Sequence, residues 1–418
     1  MDRLENTVRP YAWGSTTALP ELLGEKPTGQ PQAELWMGAH PGAPSRIDRG
    51  TGPLPLSEVI AADPESELGV PTVRTFGPRL PFLLKLLAAA APLSLQVHPD
   101  STQAAQGYAD EEARGIPLDA AERNYKDDSH KPELVCALTP FEGLCGFRHP
   151  QEAAALLDGL GVDGLKPYVD ILRARPGSEA LREVLTALLT ADKDAMAATV
   201  AEAAEAASER SEYAVYADIA HHYPGDPGVL AAMLLNHVVL RPGEALYLAA
   251  GVPHAYLGGL GVEIMANSDN VLRCGLTPKH VDVPELLRIV RFEPVEPGIL
   301  RPEADEATGE EVYETPVGEF RLSRFALVPG AAPHTLHASA AQILLCTEGA
   351  VVLHDGEGGG RRRTEGGADG GAEGGADGGA EGGAADIDLA PGQSAYVPAG
   401  EPVRISGDGT LFRATVAV

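Results

Sequence analysis

One motif constrains the fold of this chain more than any other feature, because it occurs twice without gaps, at residues 242–254 and 391–403. Both copies begin with Pro-Gly, have a Tyr near the middle and continue with Ala-Gly-x-Pro. Glycine supplies the backbone angles of tight turns, and the residues between the turns alternate as in a short strand. Such a turn, strand and turn is typical of half a jelly roll, so the repeat predicts two related β-rich units.

The two copies differ at their last position, where the first has His254 and the second has Val403. Valine can neither bind a metal ion nor transfer a proton, whereas histidine can do both. We therefore predict that the first unit carries the chemistry and that the second has a structural role.

Residues 150–236 differ in composition from the Pro- and Gly-rich sequence before them. Segments 181–189 and 195–208 are rich in Ala, Leu and Glu, lack Gly and Pro, and place apolar residues at helical spacing. Strand-like sequence returns at residues 238–248. The helical region is therefore predicted to be inserted into the first β-rich unit.

The predicted fold class is mainly β with an inserted α-helical domain, built from two jelly-roll barrels and a helical unit. The catalytic jelly-roll domain is predicted at residues 1–149 and 237–303, the helical domain at 150–236 and a C-terminal jelly-roll-like domain at 304–418. Strands of the C-terminal domain are expected at 318–327, 341–345 and 350–353. Residues before about 100 are expected to be β-rich, with strands at 81–87 and 93–98.

Residues 356–386 have low sequence complexity, with three arginines at 361–363 followed by a repeat of Gly-Gly-Ala and an acidic residue. Such a segment buries too little apolar surface to offset the entropy of ordering it. We predict a disordered loop between two strands; the alternative is partner binding through the arginines.

The charge balance excludes some partners. Lys and Arg total 32 against 60 Asp and Glu, a formal net charge of −28, which argues against a nucleic-acid partner. A small anion can still bind where a few Lys and Arg side chains converge. The apolar segments are too short to cross a membrane, no signal peptide is evident, and the four cysteines form no CxxC pair. We expect a cytoplasmic protein with no membrane partner, as a monomer or weak homo-oligomer.

Four segments contain residues suited to metal binding and catalysis. In the first, Ser94, Gln96 and His98 share one face of a predicted strand. In the second, Lys131 and Glu133 are two residues apart, which again places them on one face. Taken singly, these residues also fit a hydrogen-bonded structural histidine and a surface ion pair.

The third segment contains His254 and Tyr256 with Glu263 further along, and the fourth is the polar stretch 267–279 with its two cations. Together the segments supply two imidazoles, one carboxylate and one amide oxygen. That set of ligands suits a divalent metal, and the imidazoles favour zinc. The spacing alone leaves the structural interpretations open.

The runs 95–99, 124–134 and 251–282 resemble the signature segments of the type I mannose-6-phosphate isomerases, a family of the cupin superfamily. Residues 11–14, Lys85 and the segment 227–236 match as well, so the resemblance extends to about residue 290. Ser129 stands where many members have Asn, and the Gly-rich insert is not a family feature.

The resemblance implies zinc-dependent interconversion of mannose 6-phosphate and fructose 6-phosphate through an enediol, with one zinc ion per chain. It implies a role for thirteen residues in this sequence. They are Gln96, His98, Glu133 and His254 as zinc ligands; Arg273, Lys131, Glu263, Tyr256 and Asp269 as catalytic residues; and Trp13, Lys85, Ser94 and Lys279 as substrate-binding residues.

Two other functions fit the sequence. An isomerase of the same fold acting on a different aldose or aldose phosphate is one, and a non-catalytic cupin that binds sugar is the other. All four ligand positions and Arg273 are present, which favours an enzyme over a binding protein. A nucleotidyl-transfer activity is disfavoured, because no Gly-rich phosphate loop followed by Lys occurs near the start.

Overall fold

The structure is a computed structural model that describes residues 1–175, 177–355 and 386–417. It is rich in β-sheet and also contains helices, so the predicted combination of sheets and helices is confirmed. No helix within these ranges combines the length and the apolar character needed to span a bilayer. The predicted disordered loop falls, except for Asp386, outside the described residues.

The first sheet contains eleven of the described strands, including both strands to which the first repeat copy contributes. Its long central strand, His254–Ala266, is antiparallel to Phe82–Ala89 on one side and to Glu133–Ala137 on the other. The remaining strands are Thr7–Arg9, Glu34–Gly38, Leu95–Val97, Phe141–Phe147, Leu235–Leu240, Ala245–Leu248, Leu272–Gly275 and Ile299–Leu300.

The second sheet contains eight described strands, and its longest pair is Gln342–Asp355 with Val403–Thr415. The chain's second and third residues belong to it, because Asp2–Arg3 pairs with Ser394–Val397. The other strands are Glu310–Tyr313, Arg321–Leu327, His334–Leu336 and Ile387–Leu389. A separate two-stranded ribbon pairs Arg46–Asp48 with Pro53–Pro55.

Most of the longer helices lie between residues 150 and 232, and they confirm the helices predicted at 181–189 and 195–208. The helices are Ala18–Leu22, Leu56–Ala62, Pro64–Leu68, Val70–Phe76, Ser101–Ala113, Pro150–Gly159, Lys166–Ala174, Ser178–Thr190, Lys193–Ser208, Ala214–His222, Gly228–Ala232 and Val283–Ile289, with 3₁₀ turns at Asp163–Leu165 and Ser211–Tyr213. In Ser178–Thr190, Leu181, Val184 and Leu188 are buried at spacings of three and four. Each such burial stabilises the fold by roughly 1.5–3 kcal/mol.

The two copies of the repeat form the same local structure. Their strands are Ala245–Leu248 and Ser394–Val397, and a strand of 13 residues begins at the last residue of each copy. The glycines before each short strand, Gly243 and Gly392, have φ values of 86° and 80°, in the region that favours glycine. The predicted turn, strand and turn is confirmed in both copies.

One prediction about local structure is incomplete and another is wrong. The sequence before residue 100 contains the expected strands, with Phe82–Ala89 and Leu95–Val97 close to the predicted 81–87 and 93–98, but it also contains four short helices, three of them consecutive from Leu56 to Phe76. Residues 341–345 and 350–353 were expected to be separate strands, yet Gln342–Asp355 is one strand with a register shift between Cys346 and Glu348. A β-bulge bends a strand without ending it, so the two predicted segments belong to one continuous ladder.

Candidate active site

Three buried side chains meet where three strands of the first sheet end. His98 follows the strand Leu95–Val97, Glu133 begins Glu133–Ala137, and His254 begins His254–Ala266. The Nε2 atom of His98 is 3.3 Å from Oε1 of Glu133, and Nε2 of His254 is 3.5 Å from Oε2 of the same carboxylate. All three residues are at most 2% exposed. The strands therefore bring together three of the four predicted ligands, which are far apart in sequence.

The histidine rings are oriented by backbone carbonyl groups. Nδ1 of His98 lies 2.7 Å from the carbonyl oxygen of Asn270, and Nδ1 of His254 lies 2.9 Å from that of Val252. A carbonyl oxygen only accepts, so each Nδ1 carries the proton and each Nε2 has a free lone pair. Both Nε2 atoms and Oε2 of Glu133 lack hydrogen-bond partners among the described residues. Two imidazole lone pairs and a carboxylate oxygen thus face one another, which is the arrangement that a metal ion requires.

The protonation states also suit a metal ion. Burial lowers the pKa of His98 to about 4, so its ring is neutral at pH 7. Burial alone would raise the pKa of Glu133, but the positive charge of Lys131 holds it well below the usual value. The site therefore presents the neutral imidazole of His98 beside an ionised carboxylate, the protonation states that a metal ion needs in its ligands.

Gln96, the fourth predicted ligand, occupies the middle of the strand Leu95–Val97. It lies opposite His254 in one ladder and opposite Arg273 in the other. Because side chains two residues apart share a face, Gln96 and His98 are on the same side of their strand. Gln96 is thus on the strand face that the metal ligands use, between a ligand and the predicted catalytic arginine.

A row of buried charges crosses the sheet beside the three metal-facing residues. Lys85 Nζ lies 2.9 Å from Oε2 of Glu263 and 3.5 Å from Oε1 of Glu34. Burial alone would lower the pKa of Lys85, but these two carboxylates raise it, so the ammonium stays charged. A second lysine contacts the metal-facing residues directly, with Lys131 Nζ 3.2 Å from Oε1 of Glu133.

Glu263 and Tyr256 have pKa values shifted upward. Burial raises the pKa of Glu263, the attraction of Lys85 opposes this, and the negative charge of Glu133 adds to it. Burial and the charges of Glu263 and Glu133 raise the pKa of Tyr256 well above its usual value. The Tyr256 hydroxyl therefore keeps its proton, whereas the pKa of the Glu263 carboxyl group is displaced toward neutral pH.

Asp269 is the most exposed of the predicted catalytic residues, and His40 fixes its environment. Gly42 N–H donates to Nδ1 of His40 over 3.1 Å, so the ring proton sits on Nε2, which lies 3.5 Å from Oδ1 of Asp269. The hydrogen bond from His40 lowers the pKa of Asp269. Asp269 is therefore an acceptor at neutral pH.

Arg273 and Lys279 are the two residues predicted to supply local positive charge for an anionic substrate. Arg273 is half-buried, and Lys279 is exposed. Burial lowers the pKa of both groups, and the charge of Arg273 lowers that of Lys279 further. Burial together with Arg123 and Arg273 does the same to Lys126. Positive charges this close together attract anions such as phosphate.

Trp13 and Ser94 are the predicted site residues with the least direct link to the metal-facing group. The indole of Trp13 packs against a buried cluster that includes Tyr256, and its ring stacks on Tyr11 at 5.7 Å between centroids. Ser94 is half-buried and comes directly before the strand of Gln96.

Four residues of the site were missed from the sequence. Glu34, Trp36 and His40 lie along one strand and its extension, and each contacts a predicted site residue or its partner. Their spacing of two, in Glu34 and Trp36, was the available signal. Asn270 is fully buried and holds the loop of residues 126–129 through both ends of its side-chain amide while its carbonyl orients His98. No sequence pattern distinguishes such a residue from a loop asparagine.

Together the fold and the site define a class, the β-rich metal-dependent enzymes. A family model described as the catalytic domain of type I phosphomannose isomerase matches residues 1–150. The mannose-6-phosphate isomerase of Escherichia coli K12 is 41% identical over 418 residues, covering 99% of both chains. The human mannose-6-phosphate isomerase is 34% identical over 382 residues, covering 84% of this chain and 88% of the human one.

Solved structures agree. A crystal structure of a mutant phosphomannose isomerase from Salmonella typhimurium covers 100% of both chains with a TM-score of 0.88 and 39% identity. A mannose 6-phosphate isomerase bound with zinc and yttrium has a TM-score of 0.87 and 39% identity, again covering 100% of both chains. This chain belongs to the type I mannose-6-phosphate isomerase family. The prediction of an enzyme of this family is confirmed.

Proposed function

We propose that the protein interconverts mannose 6-phosphate and fructose 6-phosphate and that it binds zinc through Gln96, His98, Glu133 and His254. The observation that carries the proposal is the convergence of two imidazole lone pairs and a carboxylate oxygen on one point. The names of relatives that match along the whole chain supply the substrate, and the zinc-bound relative supplies the metal.

The residues around the metal ligands fit the requirements of an aldose–ketose isomerase. Zinc, when bound, supplies a Lewis acid that polarises a substrate oxygen. The reaction removes a proton from the carbon beside the carbonyl and returns one to the neighbouring carbon, through an enediol. Arg273 is proposed to stabilise the negative charge that develops on the reacting oxygens, since a fixed cation does this without reorganisation.

Proton transfer needs a group whose pKa approaches the working pH. Glu263 and Lys131 are the two candidates beside the ligands. The pKa of Glu263 is shifted in the direction that a general base requires. Lys131 is close to the reacting region because it contacts Glu133. Tyr256 is proposed to donate a hydrogen bond, and Asp269 to accept one during ring opening.

Substrate binding is proposed for the cations and for two residues at the margin of the site. Lys279 and Lys85 are proposed to contact the phosphate or the sugar hydroxyls, and Ser94 to add a hydroxyl contact. Trp13 is proposed to pack against the sugar. These contacts would place the local positive charge where the substrate carries its negative charge.

For the architecture, we propose that the two sheets are cupin-type jelly-roll barrels with the domain boundaries expected from the sequence. These are 1–149 with 237–303, 150–236, and 304–418. The equivalence of the two repeat copies supports this proposal. A cytoplasmic location and a monomer or weak homo-oligomer stay predictions from the sequence.

One experiment tests the proposed function. Purified protein is assayed for metal content and for formation of fructose 6-phosphate from mannose 6-phosphate with a coupled enzyme. Chelation should abolish turnover and zinc should restore it, whereas full turnover in metal-free protein would refute the metal role. A panel of aldoses with and without the 6-phosphate distinguishes the proposed substrate from other sugars. Sugar binding without turnover of any member would indicate a non-catalytic binding protein.

A further inference from the structure

Glu34 is a buried acid that no sequence motif marks, and it lies beside the row of charges at the active site. Its strand, Glu34–Gly38, pairs with Phe82–Ala89, which in turn pairs with His254–Ala266. Across these strands Lys85 lies between two carboxylates, 2.9 Å from Glu263 and 3.5 Å from Glu34. All three residues are at most 6% exposed. The ammonium group of Lys85 is therefore shared by carboxylates on the two flanking strands.

The carboxylate of Glu34 is held in place by a second contact. The indole Nε1–H of Trp36 donates to its Oε2 over 2.7 Å, while its Oε1 faces Lys85. The Trp36 ring also lies 5.4 Å from the Lys85 ammonium, within the range of a cation–π contact. With one oxygen fixed by the indole, Glu34 cannot follow Lys85 toward Glu263.

A lysine ammonium has three N–H donors and no acceptor. Glu263 takes one of these donors at 2.9 Å, while the charge of Glu34, at 3.5 Å, draws the ammonium the other way and leaves an N–H for another ligand. With Glu34 neutral, this opposing attraction would be lost, and the ammonium would move toward Glu263. A buried group of charges is weak evidence for a role in stability, because apolar replacements are often neutral.

We propose that Glu34 is a positioning residue of the isomerase, which keeps Lys85 between the two carboxylates with one N–H available to the sugar phosphate. The inference rests on the proposed function and on the binding role proposed for Lys85. It adds a residue that does not touch substrate and acts through the lysine.

The second sheet offers a matched control. Lys85 and Ser323 occupy equivalent positions, because they pair with Glu263 and Arg413 on the two 13-residue strands. On their other side, Lys85 pairs with Trp36 and Ser323 pairs with Val312. Glu34 and Glu310 each lie two residues before these partners, so they are equivalent as well. Glu310 also holds buried polar groups, accepting from Ser323 at 2.5 Å and from Arg413 at 3.1 Å.

The test compares Glu34→Gln with Glu310→Gln in the zinc-loaded protein. Glutamine keeps an acceptor for the Trp36 indole and removes the charge. We expect Glu34→Gln to raise KM for mannose 6-phosphate and the dissociation constant of fructose 6-phosphate by about tenfold, the value of one charge-assisted contact. In Glu34→Gln, kcat should change less than KM, and zinc content should not change. Glu310→Gln should leave KM, kcat, the dissociation constant and zinc content unchanged. Unchanged KM in Glu34→Gln, or equal effects of the two variants, would overturn the proposal.

A double-mutant cycle separates positioning from general destabilisation. Fructose 6-phosphate binding is measured by calorimetry for Glu34→Gln, Lys85→Met and the double variant, so that loss of turnover does not prevent the measurement. If Glu34 acts through Lys85, its substitution has no further effect once Lys85 is Met. Additive effects would contradict the proposal. If wild-type protein neither binds nor converts the sugar phosphates, the proposed function fails instead, and the inference fails with it.

Discussion

The two sheets of this protein have one scaffold and different side chains at the positions that matter for chemistry. In each sheet the short strand of the repeat pairs with a neighbour, which places Leu248 opposite Glu133 and Val397 opposite Gln342. Gln342 is thus the counterpart of Glu133, and Val403 is the counterpart of His254. The backbone is equivalent, but a carboxylate has become an amide.

The remaining two ligand positions follow from the same registers. In the second turn of each repeat copy, the N–H of the glycine donates a hydrogen bond of 2.9 Å, from Gly251 to the carbonyl of His98 and from Gly400 to that of Ala338. Ala338 is therefore the counterpart of His98. Gln96 lies opposite the last residue of the first repeat copy, and Leu336 lies opposite that of the second. Side chains at all four positions in the second sheet therefore lack the ligand set of the first.

The buried charges differ in the same instructive way. In the first sheet the cation, Lys85, is on the strand between two acids, next to the proposed metal site. In the second sheet the cation is Arg413, whose Nε donates over 2.6 Å to Gln342 and whose Nη1 donates over 3.1 Å to Glu310. The polar side chains at these positions of the second sheet therefore form hydrogen bonds with one another. The scaffold is common to both sheets, and the first differs in carrying the four side chains that we propose as metal ligands.

The largest effect is expected from making the first sheet resemble the second. His254→Val places at the first site the residue that fills the equivalent place in the second, so the fold should persist. Zinc content should fall below one per chain and activity should fall more than about a thousandfold, since Lewis-acid stabilisation is worth several kcal/mol. Metal analysis and the coupled assay measure both values.

Val403→Ala is the control for this substitution, because Val403 is fully buried in the second sheet. It should lower stability and leave zinc content and specific activity as in the wild type. Stoichiometric zinc in His254→Val would show that the first sheet is not the metal site.

A smaller loss of activity is expected from Arg273→Ala. Arg273 lies opposite Gln96 and is proposed to stabilise developing charge, so kcat should fall about 100- to 1000-fold while zinc stays bound. Steady-state kinetics and metal analysis of the same sample check this. Loss of zinc or a collapse of stability in this variant would identify Arg273 as structural, and partial recovery in Arg273→Lys would support the charge.

In the second sheet the corresponding change should affect stability and not activity. Arg413→Met leaves Glu310 and Gln342 without their cationic partner in a largely buried place, at a cost of about 3 kcal/mol in the free energy of unfolding. Denaturant titration measures the loss, and activity per folded molecule should be unchanged. A reduced specific activity of the folded fraction would mean that the second sheet contributes to the reaction.

The smallest effect concerns pH and Lys279. Burial and the charge of Arg273 lower the pKa of Lys279 below its usual value of 10.5. Its cation is therefore present below that lowered pKa and is lost as the pH rises through it, so KM for the sugar phosphate should rise on the alkaline side. Lys279→Arg keeps its charge throughout this range and should reduce the alkaline rise in KM a few-fold. An unchanged KM profile in this variant would remove Lys279 from the binding site.

The sequence was a good guide where a pattern is local. The repeat, the inserted helices and the contrast between His254 and Val403 follow from spacing and turn chemistry, which act over a few residues. The four short helices before residue 100 escaped because each has fewer than eight residues, too few for helical periodicity to be visible. The segments 341–345 and 350–353 looked like separate strands because a bulge and a turn have similar local signals.

The sequence by itself determined the set of chemical groups: imidazoles, carboxylates and cations placed on alternating faces of short strands. Tertiary structure alone decided which of them meet. His98, Glu133 and His254 converge because three strands distant in sequence end at one place, and Glu34 reaches Lys85 only across a ladder. Such contacts depend on strand register, and a shift of one residue would turn every one of these side chains to the other face of its sheet.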